Sequence, residues 1–241
     1  MPGKTTFRLY LESGPKRRKT MVHVLDLLGC VYVGPTTEEA IEGTPDAIRA
    51  FLRLLSDHGE TVPSPRDELS KRTAEHVTEG QWLGNGDPTV TFGPDRKAVT
   101  PAECNRYAAR FAAIRQETLV ATATLTDRTL RTRPARGRSI AEILEHVLGA
   151  APSYLQPILG PQAEANAAAR AAEKGEVDPR EAMARALGPI SERIAGLTRE
   201  ERVAELKRGR EGWLWTSRKM FRRLLEHEWE HLAEIRVRLS A

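Results

Sequence analysis

His227-Glu-Trp-Glu-His231 sets two imidazoles four residues apart. On a helix that is about one turn, roughly 6 Å of rise, so both rings stand on one face and can reach a single metal ion. Leu224 and Ile235 continue the same stripe and turn the pair toward a packed interior. Because Glu228 follows the first histidine, the segment also spells the H-E-x-x-H of zinc metalloproteases. Such a protease is expected to carry a third ligand further along, and the sequence closes shortly after His231, so that reading ranks below a site completed from upstream. The plain alternative is two solvated or hydrogen-bonded histidines. His146, in Ser139-Ile-Ala-Glu-Ile-Leu-Glu-His146-Val-Leu, is the upstream candidate. It stands on an otherwise apolar helix, where a histidine is ordinarily a satisfied core residue.

Other chemistry-bearing residues are less specific. Glu145 and Glu228 adjoin the histidines as orienting or acid–base candidates, although 100° per residue turns immediate neighbours toward solvent. Arg131, Arg133, Arg136 and Arg138 form a cluster suited to carboxylate or phosphate, or else a solvated loop. Cys104 near a helix start is either an activated thiol or a small buried residue, and Trp213, Trp215 and Trp229 read as core or dimer contacts. Absence of G-x-S-x-G, Walker and dinucleotide fingerprints argues against a serine hydrolase, an NTPase and a Rossmann enzyme.

The elements that must position these residues change character along the chain. Thr5–Glu12 alternates with Phe7, Leu9 and Leu11 on one side, Met21–Leu25 and Cys30–Val33 read as further strands, and Thr36-Thr-Glu-Glu39 is a capping box. The helix it opens carries Ile41, Ile48, Phe51, Leu52 and Leu55, with a kink expected at Gly43-Thr-Pro45 and a stop at His58-Gly59. Gly84-Asn-Gly-Asp-Pro88 predicts the turn of a small hairpin joining Glu79–Leu83 to Thr89–Phe92. From Thr100-Pro-Ala-Glu103 onward the period is helical. One helix runs to about Asp127, a second starts at Ser139-Ile-Ala-Glu142, and Gln162–Glu173 is an alanine-rich extension or crossover. Asp178-Pro-Arg-Glu181 and Thr198-Arg-Glu-Glu201 open others, and the last spans Trp213–Leu239 with Met220, Leu224, Leu225, Leu232, Ile235 and Leu239 inward. Four major helices with one long crossover predict a four-helix bundle.

With 241 residues, 40% hydrophobic and 29% charged, the chain has room for one large or two small domains and is neither disordered nor fibrous. The most apolar stretch, Met21–Val33, is broken by His23, Asp26 and Gly29, which argues against a membrane span. The N-terminus lacks the pattern of a signal peptide, so a cytoplasmic location is expected. Two cysteines, Cys30 and Cys104, exclude a disulfide scaffold. A net charge of +4 and 5% aromatic residues argue against nucleic acid as a partner.

Two resemblances follow from these motifs. Gly29-Cys30-Val-Tyr-Val-Gly-Pro-Thr-Thr-Glu-Glu-Ala40, with Asp46-Ala-Ile48 and His58-Gly59-Glu60-Thr-Val-Pro63, resembles the HicB-like domain. That likeness implies an α+β fold, a three-stranded meander plus helix, and a regulatory or protein-binding role of the antitoxin kind. Ser-Ile-x-Glu-Ile-Leu-x-His, the alanine-rich crossover and Arg-Arg-Leu-Leu-x-His-x-x-x-His-x-x-x-Ile resemble the DinB-like metal-binding four-helix bundle. This second likeness implies metal ligands at His146, His227 and His231, holding Zn, Ni, Fe or Cu with positions open for water or substrate. Relatives implied by it include bacillithiol- and mycothiol-dependent transferases and a thiol-dependent isomerase. The expected organisation is a HicB-like domain at 1–65, a junction at 66–99 and an all-α DinB-like bundle at 100–241. The expected function is metal-dependent transfer with a low-molecular-weight thiol, as a homodimer. The alternative is a HicB-like binding module whose metal site is structural or vestigial.

Overall fold

A computed structural model describes residues 3–209 and 212–240. Residues 1, 2, 210, 211 and 241 of the expected domains lie outside the described residues. The chain forms two compact units, Met1–Ala98 with Val203–Glu226, and Val99–Arg202 with His227–Ala241.

In the first unit β1 (Lys4–Ser13), β2 (Arg18–His23) and β3 (Val31–Thr36) pair antiparallel, and β4 (Glu68–Val77) runs parallel to β1, giving the order β3-β2-β1-β4. Phe7, Leu9 and Leu11, alternate residues of β1, are all buried. Between β3 and β4 lies α1 (Thr37–Asp57), capped by Thr36 Oγ1, which accepts from the Glu39 N–H at 3.2 Å. The helix runs unbroken through the expected kink. Pro45 has no N–H to offer the Ile41 carbonyl, and Lys71 Nζ on β4 donates to that oxygen at 2.8 Å instead. Gly43 lets the Tyr32 ring lie against the helix, since a Cβ there would come within 2.5 Å of it.

Residues 66–99, expected as a junction, build this unit in two ways. The first stretch is β4, and the second covers the far face of the sheet, where Leu83, Val90 and Phe92 pack with Tyr10. The hairpin expected across Gly84–Pro88 does not form. Its backbone donors are taken by carboxylates: Glu12 Oε1 accepts from the N–H groups of Gly84, Gly86 and Asp87 at 3.1, 2.6 and 3.1 Å, and Asp87 accepts from Gln81 and Trp82 at 2.9 and 2.7 Å. The last helix also starts later than expected. Trp213–Thr216 is strand β6, paired with β5 (Glu205–Arg208), and Thr216 Oγ1 then accepts from the Lys219 N–H at 3.1 Å.

The second unit is helical. It contains α2 (Pro101–Thr122), α3 (Asp127–Arg131), α4 (Ile140–Leu159), α5 (Ala163–Glu173), α6 (Pro179–Ala195), α7 (Arg199–Arg202) and the part of α8 (Ser217–Leu239) from His227 on. Thr100 with Glu103 and Ser139 with Glu142 form reciprocal capping boxes, as the sequence predicts. α2 stops at Thr122 because Thr126 caps a new helix, accepting from the Thr129 N–H at 3.1 Å. α6 packs on α2 and α4, with α5 against both α4 and α6. Phe111, Ile114, Ile143, Leu144, Ile190, Ile194, Leu232 and Ile235 fill the interior. Leu239, expected in that stripe, is 40% exposed at the end of α8. Among the described residues no helix is long and apolar enough to cross a membrane.

Candidate metal centre

α4 contributes His146 and α8 contributes His227 and His231, whose four-residue spacing stacks both rings on the side facing α4. One nitrogen from each ring falls within 4.8 Å of the others. His146 Nε2 and His227 Nε2 are 3.0 Å apart, and the three ring centroids are separated by 4.8, 5.0 and 4.6 Å, all edge to face. For comparison, nitrogens bound tetrahedrally at about 2.0–2.1 Å from zinc sit about 3.4 Å from one another. Two facing nitrogens are satisfied by one shared proton. A third ring closing on them makes a cation the arrangement that uses all three lone pairs, and a set of three imidazoles suits a divalent transition ion.

Electrostatics favour the ligating form. Burial, with the His231 and Arg138 charges adding to it, pushes the His146 pKa down to about 4, so its ring is neutral near pH 7. His231 Nδ1 pairs with Glu234 Oε2 at 2.9 Å, which fixes the ring and leaves Nε2 for the shared point. Glu234 is itself held by Arg238. The hydrogen bond from His231, followed by its charge, keeps the Glu234 carboxyl below the usual range despite burial. Tyr154 lays its ring edge-on 5.4 Å from that of His227.

Glu228 is placed differently from either sequence expectation. It is buried, and its carboxylate accepts from Arg115 Nη2 at 2.8 Å and Nε at 3.1 Å. α8 is packed on that side too, so the neighbour of a ligand meets a partner on α2 instead of solvent. Arg131 and Arg133 are also engaged, with Asp127 and Glu142. Both cysteines are buried.

The other three histidines lie apart. His23, fully buried in the first unit, places Nδ1 2.8 Å from Glu226 Oε1 and Nε2 3.8 Å from Glu12 Oε2. Burial alone would depress its pKa, but Glu226 and Glu12 outweigh burial and hold it above the ordinary value. Arg222 extends the cluster, donating to Asp95 Oδ1 at 3.0 Å and Glu226 Oε2 at 3.3 Å. His76 Nε2 is 2.7 Å from Ser13 Oγ, and His58 caps the C-terminal end of α1. Glu234 and Tyr154 escaped the sequence reading, though the i, i+3 spacing of Glu234 from His231 was a usable signal.

A family model described as the DinB superfamily matches residues 110–235, more than half of the chain and all three clustered histidines. No curated protein and no solved structure matches the chain.

Proposed function

The chain belongs to the DinB superfamily, and on that premise we propose that His146, His227 and His231 hold one divalent transition metal, zinc, nickel or iron, for transfer of a low-molecular-weight thiol. The observation that carries the reading is the convergence of three imidazole nitrogens within 4.8 Å. When bound, the ion supplies a Lewis acid that favours the thiolate over the thiol near neutral pH. Glu234 and Arg238 fix the His231 ring, and the desolvated surroundings of His146 keep that ring unprotonated. In the transfer the thiolate sulfur forms a bond to an electrophilic carbon, the leaving group departs with its electron pair, and the thiol proton passes to solvent.

The long helices α2, α4 and α6, packed on one another, together with the end of α8 support a four-helix bundle of the DinB kind. The antiparallel β1, β2 and β3 followed by α1 support a HicB-like reading of the first unit. The test of function is conjugation of small thiols to an electrophile by the full chain, stripped of metal and then reloaded with zinc, nickel or iron. Turnover that appears on reloading and is missing in His227→Ala is the expected result. Thiol conjugation at equal rates with and without metal would refute it.

A further inference from the structure

We propose that Arg115 and Glu228 form the positioning pair of this metal centre, a buried ion pair that fixes the rotation of α8 at which His227 and His231 face His146. The inference rests on the metal reading above and adds how the ligands are held. On α8, Glu228 lies about 100° round the helix from His227 and about 60° from His231. Whatever holds Glu228 therefore sets the direction of both ligands. The leverage is large, because a ring nitrogen stands roughly 6 Å from the helix axis and a turn of about 10° carries it ~1 Å. A metal–nitrogen bond tolerates about 0.2 Å.

Little else between these helices is directional. Phe111 and Ile114 of α2 and Leu232 and Ile235 of α8 are buried apolar side chains, and apolar burial has no preferred orientation. A second polar tie between the same helices, Arg236 to Glu117, is partly exposed, and such pairs contribute little. Arg115 differs. Its guanidinium is fully buried over the Phe111 ring, 4.6 Å from the ring centroid, and donates to Glu228 Oε1 through both Nε and Nη2. A planar fork closed on one carboxylate oxygen admits a single setting of the residue that carries the oxygen.

The pair is nonetheless a poor stabiliser. Arg115 Nη1 and Glu228 Oε2 are buried and, among the described residues, have no hydrogen-bond partner. A buried ion pair adds net stability only when its remaining donors and lone pairs are satisfied, and apolar residues of similar volume otherwise do as well or better. What Arg115 and Glu228 supply that two apolar side chains would not is the rotational setting of α8.

The test takes the full chain with cobalt(II) as the probe metal, read by competition with a chromophoric chelator, by the visible d–d bands of the bound ion and by the urea midpoint. Arg115→Met/Glu228→Leu removes the pair at similar volume. Its urea midpoint is expected to be unchanged or higher, while cobalt affinity falls about tenfold and the d–d bands shift. Arg115→Gln/Glu228→Gln is the rescue. The amide nitrogen of a glutamine reaches as far along the side chain as Arg115 Nε, which already donates at 3.1 Å, so affinity and spectrum stay near those of the unmodified chain without either charge. A stable Arg115→Met/Glu228→Leu with unaltered affinity and spectrum, a fall in its urea midpoint or helicity, or a glutamine pair that loses as much affinity as the apolar pair would each overturn the positioning role with the metal reading intact. Absence of cobalt uptake by the unmodified chain would overturn the metal reading and the positioning role together.

Discussion

His23 and His146 are both drawn away from water, yet their surroundings shift their pKa values in opposite directions. His23 sits between the carboxylates of Glu226 and Glu12, and their charges raise its pKa above the ordinary value against the cost of burial. His146 meets two further imidazoles, and burial outweighs the distant Glu234 charge and lowers its pKa to about 4. The first is a ring whose proton is favoured by a charge network. The second is a lone-pair donor facing other donors. Burial therefore says little about a histidine until the charges around it are named.

The comparison can be broken most forcefully at Glu226. Glu226→Ala leaves His23 and Arg222 buried beside fewer anions, and the expected loss is about 3–5 kcal/mol, read as a fall in the urea midpoint of the first unit. A change below 1 kcal/mol would mean that the network is not what sets the charge of His23. Next in size is Glu234→Ala, which frees Nδ1 of His231. Metal affinity should weaken about 10- to 100-fold with helicity unchanged, measured by competition with a chromophoric chelator. Unaltered affinity would separate Glu234 from the centre.

A pH series sharpens the contrast further. The raised pKa of His23 contributes stability that is complete below the ordinary histidine value of 6.5 and is lost as pH rises through the folded value. The lowered pKa values of Glu12 and Glu226 act in the other direction. Their contribution is present above the ordinary 4.5 and is lost as pH falls through the folded values. Protection factors in β1 and β2, taken against the intrinsic exchange rate at each pH, should accordingly be highest at mildly acidic pH, and protection that rises steadily to pH 9 would contradict the assignment. The smallest effect is expected at Lys71→Met, which leaves the Ile41 carbonyl without its donor beside Pro45. A loss of about 1 kcal/mol or less in thermal unfolding would fit one exposed hydrogen bond.

What was legible in the sequence depended on whether the signal was local. The N-cap at Thr36, the capping boxes at Thr100 and Ser139, the alternation of Phe7, Leu9 and Leu11, and the His227–His231 spacing all act within one element, and each reads directly from residue types. β4 was not legible, because Glu68–Val77 is an exposed edge strand with no apolar alternation, fixed only by its pairing with β1. The Gly84–Pro88 turn looked like a hairpin because the carboxylate that captures its N–H groups, Glu12, lies 72 residues earlier than Gly84. Glu228 was misplaced for a similar reason. Its partner, Arg115, stands 113 positions away on another helix. Assembly of the site itself was visible only through the resemblance, since nothing local ties His146 to the last helix.

Metal analysis of protein purified without an affinity tag tests the central claim most directly. After reconstitution with zinc, nickel or iron, the unmodified chain, His58→Ala and His76→Ala should each retain about one ion per chain, while His146→Ala, His227→Ala and His231→Ala fall far below it with their helices intact. Equal metal content in the unmodified chain and His227→Ala, or none in either, would contradict the account.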